Sequence, residues 1–74
     1  MTKGQWDYLL AILRQDAPWL HYAVRFATVE SKDGQVIFHV EQDHWREVAI
    51  RDQGLLQRAV QRVRGDGAQV IVQS

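Results

Sequence analysis

The chain has 74 residues, a mass of 8.6 kDa and no cysteine, so it is one folding unit, 1–74, without a disulfide scaffold, a thiolate metal site or room for a separate catalytic lobe. Nine basic residues balance nine acidic ones and 46% of the chain is hydrophobic, which excludes disorder and gives no overall electrostatic case for nucleic acid or an anionic membrane. No stretch approaches the roughly 20 apolar residues of a membrane span or the apolar core of a signal peptide, and a cytoplasmic location is expected.

Thr2 stands three residues before Gln5, the spacing of a capping box in which each side chain satisfies the other residue's free backbone N–H. A helix starts there, with Trp6, Leu9, Leu10 and Leu13 forming one apolar stripe and Tyr8 and Ile12 widening it. Asp16, Ala17 and Pro18 end it and open a short second helix, Ala17 to about Val24, because proline is tolerated only in a first turn. Arg25 to Glu30 and Gln35 to Glu41 read as two strands of a hairpin, joined by Ser31, Lys32, Asp33 and Gly34, since Asp-Gly suits the positive φ angles of a tight turn. Val36, Phe38 and Val40 alternate with Ile37, His39 and Glu41, so the sheet is expected to be covered on one side. Asp43 and Asp52 are placed as N-caps of helices at about His44 to Ile50 and Gln53 to Arg64, with Gly65 as the left-handed residue after the second. Ala68 to Gln73 makes a last strand. The order is ααββααβ, an α+β fold with three strands and the helices on one face. The strand order is left open.

The residues offer little for catalysis. His21, His39 and His44 fall on three different elements, without the i, i+4 spacing that puts two imidazoles on one metal. Nearly all the aspartates sit at caps and turns, serine occurs only as Ser31 and Ser74, and no phosphate-cradling glycine loop is present. Neither an enzyme, a metal nor a cofactor is expected.

The arginines carry more information. Arg46, Arg51, Arg58, Arg62 and Arg64 lie in the C-terminal helical segment against Glu47 and Asp52, a local charge of about +3. Arg58 and Arg62 are i, i+4 partners, so one flank could carry a basic stripe. Arginine's planar fork suits carboxylate or phosphate partners, and tryptophan and arginine are the types most enriched at binding hot spots. Trp45, Arg46, Arg51, Arg58 and Arg62 are therefore the candidate partner-binding residues.

Trp-x-x-Leu-Leu-x-x-Leu from Trp6 to Leu13, the hairpin VRFATVESKDGQVIFHV and the run LLQRAVQRVRGDGAQVIV resemble the C-terminal domain of the bacterial DNA polymerase III tau subunit. That domain shares its fold with the N-terminal domain of the replication initiator and with type II KH domains. The resemblance implies a KH-like type II fold and a non-catalytic role, tethering a polymerase subunit, helicase or loader within the replisome. A single-stranded nucleic-acid-binding KH-like domain, using the arginine flank with Trp45 or Tyr22 stacked on bases, is the alternative. RNA-binding KH domains use a Gly-x-x-Gly loop, and the corresponding junction here, IRDQGLL, holds the lone Gly54.

Overall fold

The computed structural model describes all residues, Met1–Ser74. The first helix, α1 (Lys3–Asp16), begins at the expected capping box: the Gln5 N–H donates to Thr2 Oγ1 and the Thr2 N–H donates to Gln5 Oε1, both at 3.1 Å. Leu9, Ile12 and Leu13 are its buried face. Ala17 closes α1 and caps α2 (Pro18–Val24), with Pro18 in the first turn, where its missing N–H costs nothing.

The hairpin pairs β1 (Thr28–Lys32) with β2 (Gln35–His39) antiparallel, Lys32 opposite Gln35. The turn is two residues, Asp33 (φ 52°) and Gly34 (φ 79°), the doubly positive geometry whose twist matches that of the strands. Ser31 and Lys32, expected in the turn, pair with Val36 and Gln35. The first strand also starts three residues later than expected. The Arg25 N–H bonds the His21 carbonyl and the Ala27 N–H bonds the Val24 carbonyl, so these residues complete the exit of α2.

Two further helices follow, α3 (Asp43–Arg51) and α4 (Gln53–Arg64). Gln42 is the N-cap of α3, and Asp43 is the first helical residue, its carboxylate held by Arg46. Asp52 does occupy the N-cap of α4 but makes no side-chain capping bond. Its carboxylate accepts instead from Trp19 Nε1–H at 2.7 Å and from Arg51 at 3.3 Å. Gly65 ends α4 at φ 112°, ψ 163°, an extended positive-φ conformation essentially restricted to glycine, rather than the left-handed helical one.

The last strand, β3 (Gln69–Gln73), lies parallel to β2, with Val36 opposite Val70 and Phe38 opposite Val72. The sheet order is β1-β2-β3. The architecture is thus α+β, ααββααβ, with a mixed three-stranded sheet and the helices packed on it. Val36, Phe38 and Val70 turn into a single core with Leu9, Leu13, Leu20, Val24, Leu56 and Val60. The other sheet face carries Thr28, Glu30, Lys32, Gln35, His39, Gln69 and Gln73 around Ile37 and Ile71, by the alternation of the strands. No helix is long and apolar enough to cross a membrane.

The outer edge of β3 is closed by side chains. Gln53, Gln57 and Gln61 recur every fourth residue along α4; Gln57 accepts from the Val70 N–H, Gln53 donates to the Val70 carbonyl and Gln61 donates to the Ala68 carbonyl. The Val70 N–H and carbonyl and the Ala68 carbonyl, which would otherwise template another strand, are satisfied there.

Candidate interaction surfaces

The five C-terminal arginines do not form one stripe. Arg46 donates through Nη1 to the Val40 and Glu41 carbonyls, at 3.0 and 3.2 Å, and through Nη2 to Asp43. It ties the end of β2 to the start of α3, and its fork is occupied within the fold. Arg64 reaches Ser31 Oγ on β1 at 2.8 Å. Arg62 pairs with Asp16 of α1 at 3.3 Å, and Arg51 pairs with Asp52 at the same distance. Arg58 makes only a 3.4 Å bond from Nε to the Gly54 carbonyl and has no carboxylate partner. The local excess of +3, in which Asp52 is already counted, is thus reduced to about +1 by Asp16 and Asp43.

What Arg51, Arg58 and Arg62 share is a corner. The turn between α1 and α2 abuts the start of α4: Trp19 is bonded to Asp52, Arg62 to Asp16, and Leu55, Arg58 and Arg62 line a shallow groove with Ile12, Asp16 and Ala17. Tyr8 flanks the other side of Arg62. Trp19 and Leu55 are 42% and 41% exposed, and Ile50, two residues before Asp52, is more exposed still. Every large hydrophobic residue that stands exposed lies on a helix or, for Phe26, at the exit of one. The open sheet face carries none.

Trp45 is elsewhere. It is half-buried against the core, edge-on to His44 at 4.9 Å between ring centroids, and it lines a cleft shared with Tyr22, Arg25, Phe26 and His39. The five candidate residues therefore fall into a corner group, a cleft residue and a structural tie. Arg25 and Phe26 were not among them because both read as strand residues in the sequence. Their placement at the end of α2 follows from backbone bonds that no local pattern signals.

The histidines remain apart, each with its own neighbour. His21 lies edge-on to Tyr22, and burial, then Arg14 and Arg25, hold its pKa below the ordinary value. His39, on the open sheet face, bonds the Ser74 carbonyl through Nδ1 and Glu30 through Nε2, each at 3.2 Å. The bond to Ser74, followed by that to Glu30, raises its pKa above the ordinary value. Both carbonyl and carboxylate reward a ring with two N–H donors, which is a structural use of this imidazole.

No protein-family model, no curated protein and no solved structure matches this chain.

Proposed function

We propose that this domain is a non-catalytic protein-interaction module, and that its setting is the bacterial replication machinery, where it tethers a polymerase subunit, the helicase or the loader. The observation that carries the first part is the helical corner. Trp19, Ile50 and Leu55 stand in water beside Arg51, Arg58 and Arg62, a combination of large apolar and arginine side chains that is enriched where proteins bind one another. The replication setting rests on the resemblance of the first helix, the hairpin and the C-terminal helix–strand run to the tau subunit's C-terminal domain, and the ααββααβ order agrees with it.

Ion pairing argues against the single-stranded nucleic-acid alternative. A phosphate track needs several free cations in a row, whereas Arg51 and Arg62 already face carboxylates and Arg46 is engaged by backbone carbonyls.

Calorimetric titration of the domain against the replicative polymerase, helicase and loader proteins of its source tests the assignment. One of them is expected to bind, with L55E and R58E each weakening the complex at least tenfold while the circular dichroism spectrum is retained. Binding to an oligothymidylate that fades steeply between low and moderate salt, with none of the three proteins bound, would replace it with the alternative.

A further inference from the structure

Between the exit of α2, the start of β1, the end of β2 and the first turn of α3 lies a cleft of about 380 Å³. It is separate from the helical corner, and its chemistry is the same whether or not that corner binds a partner. The cleft has two unusual features. Phe26 is 85% exposed at its wall, and an aromatic ring left almost wholly in water contributes nothing to the core that folding requires. The guanidinium carbon of Arg25 lies over the rings of both Phe26 and Tyr22, 4.6 and 4.8 Å from their centroids.

Stacking covers the faces of a guanidinium and leaves its N–H donors, which lie in its plane, free to point outward. Arg25 has no carboxylate within ion-pair distance. Its fork is therefore held in place by two rings and left without a partner. Across the cleft, Gln42 is the N-cap of α3 but makes no side-chain capping bond, and the carboxylate of Asp43 is taken by Arg46. The first turn of α3 thus adds a favourable potential for negative charge to a site already defined by Arg25.

The remaining charges limit what that anion is. Glu41 lines the same cleft, on the connection from β2 to α3, and Glu30 lies just beyond His39. A chain of phosphates laid through the cleft would meet both carboxylates, so one negative charge is accommodated and a polyanion is not. Trp45 and Phe26 supply apolar walls on the two sides.

We propose that this cleft binds a peptide segment of a partner protein in which a large apolar side chain sits next to a single carboxylate. The carboxylate takes the fork of Arg25 in bidentate fashion, and the apolar side chain fills the space between Phe26 and Trp45.

The probe is an acetylated, amidated hexapeptide, Gly-Ser-Phe-Asp-Ser-Gly, titrated into the ¹⁵N-labelled full chain at low salt and followed by amide chemical shifts. Saturable shifts are expected among residues 22–28 and 40–46. The peptide with asparagine for aspartate, the peptide with alanine for phenylalanine, and the variants R25Q and F26A should each bind at least fivefold more weakly. Because both side chains are exposed, R25Q and F26A should keep the dispersed spectrum of the parent, and R58E should bind the peptide as the parent does. Equal binding of the asparagine peptide, no shifts at millimolar peptide, shifts centred on Leu55 to Arg62, or tighter occupation of the cleft by an oligothymidylate would each overturn the proposal.

Discussion

Arg46 shows how one side chain decides between binding and structure. Its three acceptors, the Val40 and Glu41 carbonyls and the Asp43 carboxylate, lie within the β2–α3 connection, and a fork of fixed geometry meets all three where an ammonium would not. R46K is accordingly expected to lower unfolding free energy by about 1.5–3 kcal/mol, the range for hydrogen bonds to a charged group, and to leave partner affinity unchanged; urea denaturation beside a binding titration separates the two effects. His39 is the other residue with a closely defined environment. Its bonds to Ser74 and Glu30 are both made by the doubly protonated ring, which raises its pKa above 6.5, while burial and then Arg14 and Arg25 lower that of His21. A raised folded pKa means that the contribution of His39 to stability is complete below the unfolded value and is lost as pH rises through the folded one. His21 runs the other way, its contribution being present above the unfolded value and lost as pH falls through its lowered one. In an NMR titration of the ring protons His39 is expected to titrate above His21, and E30Q to bring His39 down toward 6.5 without moving His21. A His39 midpoint at or below that of His21 would contradict the geometry.

At the scale of elements, the strongest local signals were also the ones legible in the sequence. The Thr2–Gln5 box and the Asp33-Gly34 turn each involve neighbours three residues apart or fewer, and both form as their spacing requires. Gly34, at φ 79° with open space where a Cβ would go, is under a conformational constraint alone. G34A should therefore destabilise by about 1 kcal/mol through backbone strain, with no steric component, and thermal unfolding measures it. The glutamines of α4 were not legible, because their partners lie across a gap in the chain: Gln57 is 13 residues from Val70. Replacing Gln57 with leucine leaves the Val70 N–H without its acceptor at a strand edge, and an unsatisfied, partly buried donor costs about 1–3 kcal/mol. Q57L is expected both to lower the denaturation midpoint and to show concentration-dependent association by light scattering, since a bare β3 edge can pair with another chain. The later start of β1 has a local cause, the Arg25 and Ala27 N–H groups being taken by the His21 and Val24 carbonyls at the exit of α2, whereas at Asp52 the cap position is as expected and only the capping bond is replaced. Asp52 has the composition of an N-cap, but Trp19, 33 residues earlier, takes its carboxylate.

For the whole molecule, the division of labour between core and surface was only half visible. The apolar alternation of β2 and the stripes of α1 and α4 gave the core in outline, and Leu9, Leu13, Val36, Phe38, Leu56 and Val60 are all buried in it. The surface was less legible because charge summed along a helix ignores what faces it across space: Arg62 meets Asp16, 46 residues away. This difference has a measurable consequence. A domain of this length is held by about 4–11 kcal/mol, at roughly 0.05–0.15 kcal/mol per residue. Phe38 is fully buried on the central strand, with Trp6 tilted against it at 6.4 Å between centroids, and truncating a core phenylalanine to alanine costs about 3–5 kcal/mol. F38A should therefore remove a large share of the total, shifting the urea midpoint by about a quarter or more and in the limit leaving no folded baseline. The Arg62–Asp16 pair is more than half exposed on both sides, where a pair contributes about 0–1 kcal/mol, and R62A should leave the midpoint nearly unchanged. Tryptophan fluorescence and far-ultraviolet circular dichroism should report coincident transitions in the parent and in R62A, as a single core requires. An R62A midpoint displaced as far as that of F38A would make the arginine a support of the fold, and the helical corner would lose its standing as a surface kept for a partner.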